Sequence, residues 1–219
     1  MAQAHPRAQK GMGMEGFVAR WYARQTAHDA DEFMRTARRI AGDLKPGDRV
    51  LEIAPGPGYL AIELAKRITG RVTALDINRT FVALVAENAR NAGVAVDVEH
   101  GDAAAMPFAA DQFDFIVCRA AFKNFTQPLA ALNEMHRVLK PGGAALIIDL
   151  RKDFSPQAIN DYVRGRGVFN AFIIKLTFNM MLKKRAYMQE SLLELVTRSR
   201  FGHGEVKLDP IGFELRLQK

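Results

Sequence analysis

The sequence has little cysteine and no long apolar run. Its one cysteine, Cys118, lies inside the apolar stretch Phe113 to Cys118. A single thiol excludes an internal disulfide framework, and a thiol buried in a core is typical of a reducing compartment. The sequence also lacks the apolar core of a signal peptide and the run of about 18 apolar residues that a membrane-spanning helix needs. We therefore expect a soluble, cytoplasmic protein.

Metal-ligand spacing is missing as well. The five histidines are scattered along the chain, and no metal site is expected from them: His5, His28, His100, His136 and His203. Two of them, His28 and His203, are weak candidates for a general base, although placement on the surface is the simpler interpretation.

The positive charge is unevenly distributed. The 219 residues carry a net charge of +7, yet residues 50–150 hold nine basic and eleven acidic side chains. Residues 151–219 hold thirteen basic and seven acidic ones. Such an excess could serve an anionic acceptor, a nucleic acid or a membrane surface, or simply keep the protein soluble. Because no RNA-binding module is recognisable, we expect no specific nucleic-acid partner.

A strand, a small-residue turn and a helix follow one another in residues 49–66. Arg49 to Ile53 read as a buried strand, Ala54 to Tyr59 as the turn, and Leu60 to Lys66 as the start of a helix. This order places the backbone N–H groups of Gly56 and Gly58 at a helix N-terminus, where the helix dipole favours negative charge.

An acidic residue ends the next predicted strand. Asp76 follows Arg71 to Leu75 and lies eighteen positions after Gly58. An acid at this place can accept hydrogen bonds from both ribose hydroxyls of a nucleoside ligand. The alternative is a helix cap for Asn78-Arg79-Thr80, since aspartate is a favoured cap residue. The glycine turn upstream favours the ribose interpretation.

Strands and helices alternate along most of the chain, which predicts an α/β fold with a mostly parallel, doubly wound sheet and a ligand at the strand carboxyl ends. Helices are predicted within residues 14–45, and a hairpin over 205–208 and 213–217. The remaining predicted strands are 49–53, 71–75, 95–99, 113–118 and 144–150, and the remaining helices are 58–68, 79–92 and 126–140.

Four segments together resemble the class I S-adenosylmethionine-dependent methyltransferases, and among them the ubiquinone/menaquinone-type small-molecule enzymes. The first is Glu52-Ile53-Ala54-Pro55-Gly56-Pro57-Gly58, which is similar to the acid-x-Gly-x-Gly-x-Gly motif. Asp76 is the second, Gly101-Asp102-Ala103 is the third, and Leu139-Lys140-Pro141-Gly142-Gly143 before a strand is the fourth. The resemblance runs from about Trp21 to the C-terminus.

The resemblance implies a Rossmann-like, seven-stranded sheet with a reversed last strand, and S-adenosylmethionine as cofactor with S-adenosylhomocysteine as product. The first glycine of the motif is replaced by Ala54, which is tolerable if its φ stays negative. The cofactor-binding positions it implies are Tyr22, Glu52, Ala54, Gly56, Gly58, Asp76, Ile77, Asp102, Ala103 and Arg119.

Methyl transfer from a sulfonium needs alignment and exclusion of water more than acid–base chemistry. Lys123 and Asp149 follow the fourth and fifth predicted strands and are the candidate catalytic residues. Arg119 is a candidate for a bidentate contact to the cofactor carboxylate. A solvated surface lysine is an equally good interpretation of Lys123.

Residues 155–200 form a predicted helical insertion that covers the acceptor pocket in related enzymes. Plain core packing of a helix, or a helix on a membrane surface, would give the same apolar and basic pattern. The lining of a pocket for an apolar or aromatic acceptor is predicted to include Phe169, Phe172, Ile173, Leu176 and Met180.

Residues 1–13 are expected to be disordered, and residues 14–219 to form one methyltransferase domain, as a monomer or homodimer. The expected partner is a small-molecule acceptor, with at most weak contact to a membrane surface. The alternatives are a nucleic-acid methyltransferase, an NAD-dependent oxidoreductase of Rossmann type, and a protein that uses the bound sulfonium to stabilise a rearrangement or cyclisation. The Tyr-x-x-x-Lys pair of many such oxidoreductases is missing, and so is the Asn/Asp-Pro-Pro-aromatic motif of amino-methylating nucleic-acid enzymes.

Overall fold

The computed structural model of the protein describes residues 30–164 and 185–219. The predictions for the disordered N-terminus, the first N-terminal helix, Tyr22 and the apolar residues 169–181 lie outside the described residues. Within the described ranges, no helix combines the length and the apolar character needed to cross a bilayer.

A seven-stranded sheet forms the centre of the fold. Its strand order is β3-β2-β1-β4-β5-β7-β6, and β1 to β5 run parallel to one another. The seventh strand lies antiparallel to both of its neighbours, β5 and β6. This arrangement confirms the Rossmann-like sheet with a reversed last strand. The strands are β1 Arg49–Ile53, β2 Arg71–Asp76, β3 Asp97–His100, β4 Phe113–Arg119, β5 Leu139–Leu150, β6 Glu205–Leu208 and β7 Gly212–Gln218.

Six α-helices are present in the described part of the chain. A short 3-10 turn, Phe122–Asn124, follows β4. The helices are α1 Ala30–Asp43, α2 Tyr59–Ala65, α3 Arg79–Asn91, α4 Pro128–Val138, α5 Pro156–Tyr162 and α6 Gln189–Arg198.

Alternate residues of the central strands enter two separate cores, one on each face of the sheet. Leu51 and Ile53 of β1 face a core that includes apolar side chains of α4 and α6. Val50 of the same strand faces the other core, which is built with α1, α2 and α3. Because both faces of the central strands are buried, their sequences read as almost continuous apolar runs. The carboxyl ends of these strands remain at one edge, where ligands bind in open α/β sheets.

The Lys-Pro-Gly-Gly segment differs from its prediction. Helix α4 ends at Val138, and β5 begins at once with Leu139, which pairs with Phe113. The register then shifts, so that Ala144 pairs with Phe115. The segment is therefore an irregular part of β5 rather than a turn before it. Gly142 has a φ of 78°, which lets the chain bulge there.

The final part of the predicted insertion belongs to the core. Leu192 and Val196 of α6 are buried, and α6 packs beside α4. Pro156–Tyr162 is the other described helix of this region, and its start is capped by the hydroxyl of Ser155, which accepts from the N–H of Ala158.

Candidate functional site

The turn between β1 and α2 is fixed by hydrogen bonds within the protein. The N–H of Ala54 donates to the carbonyl of Leu75 at 2.8 Å, and the N–H of Gly58 donates to the carbonyl of Pro55 at 3.1 Å. Gly58 has a φ of 83°, and a Cβ atom there would lie 2.8 Å from the side chain of Val85. Gly58 is thus required by its positive φ and by the close approach of α3. Its N–H donates to Pro55 inside the turn and does not point to a ligand.

Ala54 adopts a conformation that sequence analysis did not anticipate. Its φ is +54°, so the condition of a negative φ is not met. The turn retains the left-handed geometry that a glycine would adopt freely, and the methyl group makes this geometry unfavourable by about 1–2 kcal/mol. Hydrogen bonding of its N–H to β2 holds the residue there.

Helix α3 supports the same turn through Asn88. The side-chain amide of Asn88 donates to the carbonyl of Pro57 at 2.9 Å. Val85 and Asn88 are three positions apart, so both side chains lie on the helix face that meets the turn. Sequence reasoning missed Asn88, because no local pattern connects residues 31 positions apart.

The carboxylate of Asp76 ends β2 beside the turn. It accepts from the N–H of Asn78 at 2.8 Å and from that of Gly56 at 3.4 Å. Burial raises its pKa to about 6, although backbone N–H groups oppose this shift. The N-cap of α3 is Asn78, whose side chain accepts from the N–H of Thr80. The cap role considered for Asp76 therefore belongs to Asn78.

A cleft opens next to this carboxylate at the carboxyl edge of the sheet. It contains about 280 Å³ of empty space, including the part that is open to solvent. One Asp102 oxygen accepts from the N–H of Ala104 at 2.9 Å, which shapes the turn at the cleft wall. The walls are otherwise mostly apolar, as a flat aromatic base requires. The lining residues are Ile53, Ala54, Leu75, Ile77, Gly101, Asp102, Ala103 and Phe125.

Glu52 is a buried acid of β1 that reaches the first turn of α2. Only 3% of its surface is exposed, and the backbone N–H of Ala61 stabilises its ionised form. Burial raises its pKa to about 8, while Arg119 lowers it and Asp76 raises it further. Its Oε2 atom has no hydrogen-bond partner among the residues that the structure describes. An orphaned buried oxygen is costly, and a donor group on a bound ligand would satisfy it.

Comparison with known proteins identifies methyltransferases as relatives of this chain. Residues 50–143 match the sequence model of a family described as a methyltransferase domain. The ubiquinone/menaquinone biosynthesis C-methyltransferase UbiE of Neisseria meningitidis is 33% identical over 155 residues. The aligned part is 70% of this chain, and the chain spans only 61% of the length of that relative.

Residues 50–143 thus match a methyltransferase domain, and the fold is that of the class I S-adenosylmethionine-dependent methyltransferases. Two solved structures share the fold. A putative S-adenosylmethionine-dependent methyltransferase from Methanococcus maripaludis aligns with a TM-score of 0.74 at 20% identity. The alignment includes 98% of this chain and 97% of the other chain. The cyclase SpnF aligns with a TM-score of 0.64, also at 20% identity, over 85% of this chain and 80% of its own. The fold alone therefore does not settle the reaction.

S-adenosylmethionine is the cofactor of this family, and the residues of the cleft fit it. The carboxylate of Asp76 can accept hydrogen bonds from ribose hydroxyls, the apolar walls suit an adenine, and the orphaned Glu52 oxygen suits a cationic donor. The structure brings together Glu52, Ala54, Gly56, Gly58, Asp76, Ile77, Asp102 and Ala103 of the predicted cofactor-binding residues.

Arg119 is at the same edge, but its guanidinium is engaged by α1. It forms an ion pair with Glu32 at 2.6 Å and lies over the ring of Phe33 at 4.5 Å. Phe33 in turn contacts Tyr59 of α2, with ring centroids 5.6 Å apart. Neither Glu32 nor Phe33 was predicted to belong to the site, because their contacts depend on how α1 packs against the sheet.

Lys123 and Asp149 form a buried ion pair behind the 3-10 turn. The ammonium lies 2.8 Å from Oδ1 of Asp149, and the two side chains are only 4% and 0% exposed. Asp149 also accepts from the N–H groups of Lys123 and Leu150, both at 2.8 Å. The ammonium donates further to the carbonyl of Ala120 at 2.5 Å. Lys123 is therefore held in a buried ion pair, and the solvated-lysine interpretation of Lys123 is wrong.

Proposed function

We propose that this protein binds S-adenosylmethionine in the cleft and transfers its methyl group to a small, apolar or aromatic acceptor by in-line displacement. The observation that carries the proposal is the buried Asp76 carboxylate, which accepts from Gly56 and lies between Leu75 and Ile77, two residues that line an apolar cleft. A carboxylate that accepts from backbone N–H groups still has a lone pair for a ligand hydroxyl.

Each part of the cofactor has a chemically suitable neighbour. Asp76 accepts from the ribose hydroxyls, and the side chains of Ile77 and Ala103 enclose the adenine. Asp102 has an oxygen for the exocyclic amine beyond the one that Ala104 uses. Glu52 faces the methionine part, where a cationic ammonium would lower its pKa and satisfy its orphaned oxygen.

Bound S-adenosylmethionine supplies a methyl group that its positive sulfur has already activated. The protein has to hold the acceptor in line and exclude water. We assign a positioning role to Lys123 and Asp149. Their buried ion pair anchors the segment 120–125, whose last residue, Phe125, lines the cleft. Neither side chain is placed to contact the acceptor directly.

Small-molecule methylation is favoured over nucleic-acid methylation and over NAD-dependent oxidation. Residues 50–150, which build the cleft, carry more acidic than basic side chains, so this region does not attract a polyanion. The curated relative with 33% identity carries a small-molecule methyltransferase name.

Isothermal titration tests the cofactor assignment. S-adenosylmethionine and S-adenosylhomocysteine should each bind saturably, and NAD should give no heat. Asp76→Asn should weaken both by roughly 10- to 100-fold, since a charge-assisted hydrogen bond is worth about 1.5–3 kcal/mol. Asp97→Asn is the matched control, because Asp97 is an exposed acid at the start of β3. Saturable NAD binding without sulfonium binding would overturn the proposal.

A labelled methyl-transfer screen tests the acceptor class. Incubation with labelled S-adenosylmethionine and a library of small aromatic acceptors should label at least one acceptor. A tRNA and rRNA pool should stay unlabelled at physiological salt. Site-specific labelling of RNA would instead support the nucleic-acid alternative, and cofactor binding with no labelling of any acceptor would support the non-transfer alternative.

A further inference from the structure

The segment that starts at Arg185 lies over the carboxyl ends of β4 and β5. Tyr187 stacks on Phe122 with ring centroids 5.6 Å apart, and its carbonyl accepts from the N–H of Lys152 at 2.8 Å. Arg185 donates to the side-chain oxygen of Asn124 at 3.3 Å. Asn124 precedes Phe125, which lines the cofactor cleft. Arg185 is therefore linked through Asn124 to the segment that ends at the cleft wall.

Arg185 differs in its partners from three other cations of this edge. Arg119 is paired with Glu32, Lys123 with Asp149, and Arg151 with Asp153. Among the residues that the structure describes, Arg185 forms no ion pair, and its side chain donates a hydrogen bond to a neutral amide. It is half-buried, so its charge is neither fully solvated nor neutralised.

The neighbouring sequence cannot supply the missing carboxylate. No aspartate or glutamate occurs between Asp161 and Glu190. The same interval contains six basic residues beside many apolar ones, and these are Arg164, Arg166, Lys175, Lys183, Lys184 and Arg185. The stretch of sequence that precedes Arg185 therefore carries positive charge and no carboxylate.

We propose that Arg185, oriented by Asn124, binds an oxyanion of the acceptor, so that the substrate is a small apolar or aromatic molecule with a carboxylate or an ionised hydroxyl. The inference rests on the proposed function and specifies its substrate class. A guanidinium binds a carboxylate through two parallel N–H···O contacts and a phenolate through contacts to its one charged oxygen, and a neutral amide oxygen replaces these only in part. Arg185 forms no bond to the methyl group and takes no proton. Its role is to fix the acceptor in place.

A matched pair of probes tests the inference. The affinities of 2-naphthoate and its neutral isostere 2-naphthamide are measured by titration calorimetry, with and without saturating S-adenosylhomocysteine. The wild type should prefer the acid by at least about tenfold, which corresponds to one charge-assisted contact. Arg185→Met should abolish the preference, and Arg185→Lys should restore part of it. The affinity for S-adenosylhomocysteine should be unchanged in both variants.

Arg164→Met is the control variant, because Arg164 is an exposed cation of the same basic interval and is already paired with Asp161. It should retain the preference for the acid. Equal affinity of wild type for the two probes, or a preference that survives Arg185→Met, would overturn the inference. So would binding of anionic lipid vesicles that depends on Arg185 while naphthoate is not preferred. Loss of S-adenosylhomocysteine binding in wild type would contradict the cofactor assignment alone, since the naphthoate preference is also measured without it.

Discussion

The carboxylate of Glu32 lies 2.6 Å from the guanidinium of Arg119, and this ion pair ties helix α1 to the carboxyl end of β4. Arg119 is only 16% exposed in its side chain, whereas Glu32 is 45% exposed. A cofactor carboxylate that uses Arg119 must therefore compete with Glu32. If Arg119 binds the cofactor carboxylate, as the sequence predicts, α1 and the cofactor use the same cation.

Glu32→Gln should tighten cofactor binding, because it removes the competing charge. A partly exposed ion pair is worth about 0.2–1 kcal/mol, so the dissociation constant of S-adenosylhomocysteine should fall about 1.5- to 5-fold. The free energy of unfolding should fall by a similar amount. Asp43→Asn serves as the control, because Asp43 is an acid of the same helix that pairs with Arg216 on β7. Equal affinities of Glu32→Gln and wild type would show that Arg119 does not contact the cofactor.

Ala54→Gly should stabilise the protein, which is the reverse of the usual effect of glycine. The left-handed φ of +54° costs alanine about 1–2 kcal/mol, and glycine removes this strain. The greater conformational entropy of glycine in the unfolded chain offsets part of the gain. We expect a net gain of about 0.5–1 kcal/mol in the free energy of unfolding, measured with urea. Ala83→Gly, on the exposed face of α3, should lose about 1 kcal/mol. A loss in both variants would contradict the strained conformation of Ala54.

Glu52 should make the protein less stable as the pH rises. Its pKa in the folded protein is about 8, above the ordinary value of 4.5, so the folded state holds a proton that the unfolded state has released. The retained proton stabilises the folded state fully below about pH 4.5. This stabilisation is lost as the pH rises towards 8, by up to about 1.4 kcal/mol per pH unit. Glu52→Gln should flatten that dependence and gain stability relative to wild type at pH 8.

Urea unfolding at pH 5, 6, 7 and 8 measures this difference between Glu52→Gln and wild type. Glu99→Gln is the control, since Glu99 is an exposed acid of β3 and should leave the pH dependence unchanged. Parallel curves for Glu52→Gln and wild type would mean that Glu52 is already ionised in the folded protein. Bound cofactor should also reduce the difference if its ammonium meets this acid.

The local parts of the site could be predicted from the sequence, whereas the long-range contacts could not. The strand, turn and helix around Gly56 and the acid at Asp76 are set by neighbouring residues, so their pattern predicts the cleft. Asn88 on Pro57 and Glu32 on Arg119 join distant parts of the chain. Their side chains look like ordinary helix-surface groups in the sequence.

The same distinction explains the two backbone differences. The φ of Ala54 depends on its hydrogen bond to Leu75 in the next strand, and an alanine by itself predicts a negative φ. The early start of β5 depends on the pairing of Leu139 with Phe113, which competes successfully with the turn tendency of Pro141-Gly142-Gly143. In both cases a tertiary contact overrides a local preference.

Replacement of one member of the Lys123–Asp149 pair should affect stability more than chemistry. Lys123→Met leaves the Asp149 carboxylate buried without its cation, and breaking such a pair typically costs about 3–5 kcal/mol. Asp149→Asn should cost less if its amide oxygen retains one of the two backbone N–H donors. The double variant should be less destabilised than the sum of the two, because no lone charge remains. Urea unfolding measures all three.

For variants that stay folded, single-turnover methyl transfer should slow by well under the ~10²–10⁴-fold expected for losing a general acid or base. A steep single-proton limb in the pH–rate profile of wild type that disappears in Asp149→Asn would show that the pair takes part in proton transfer after all.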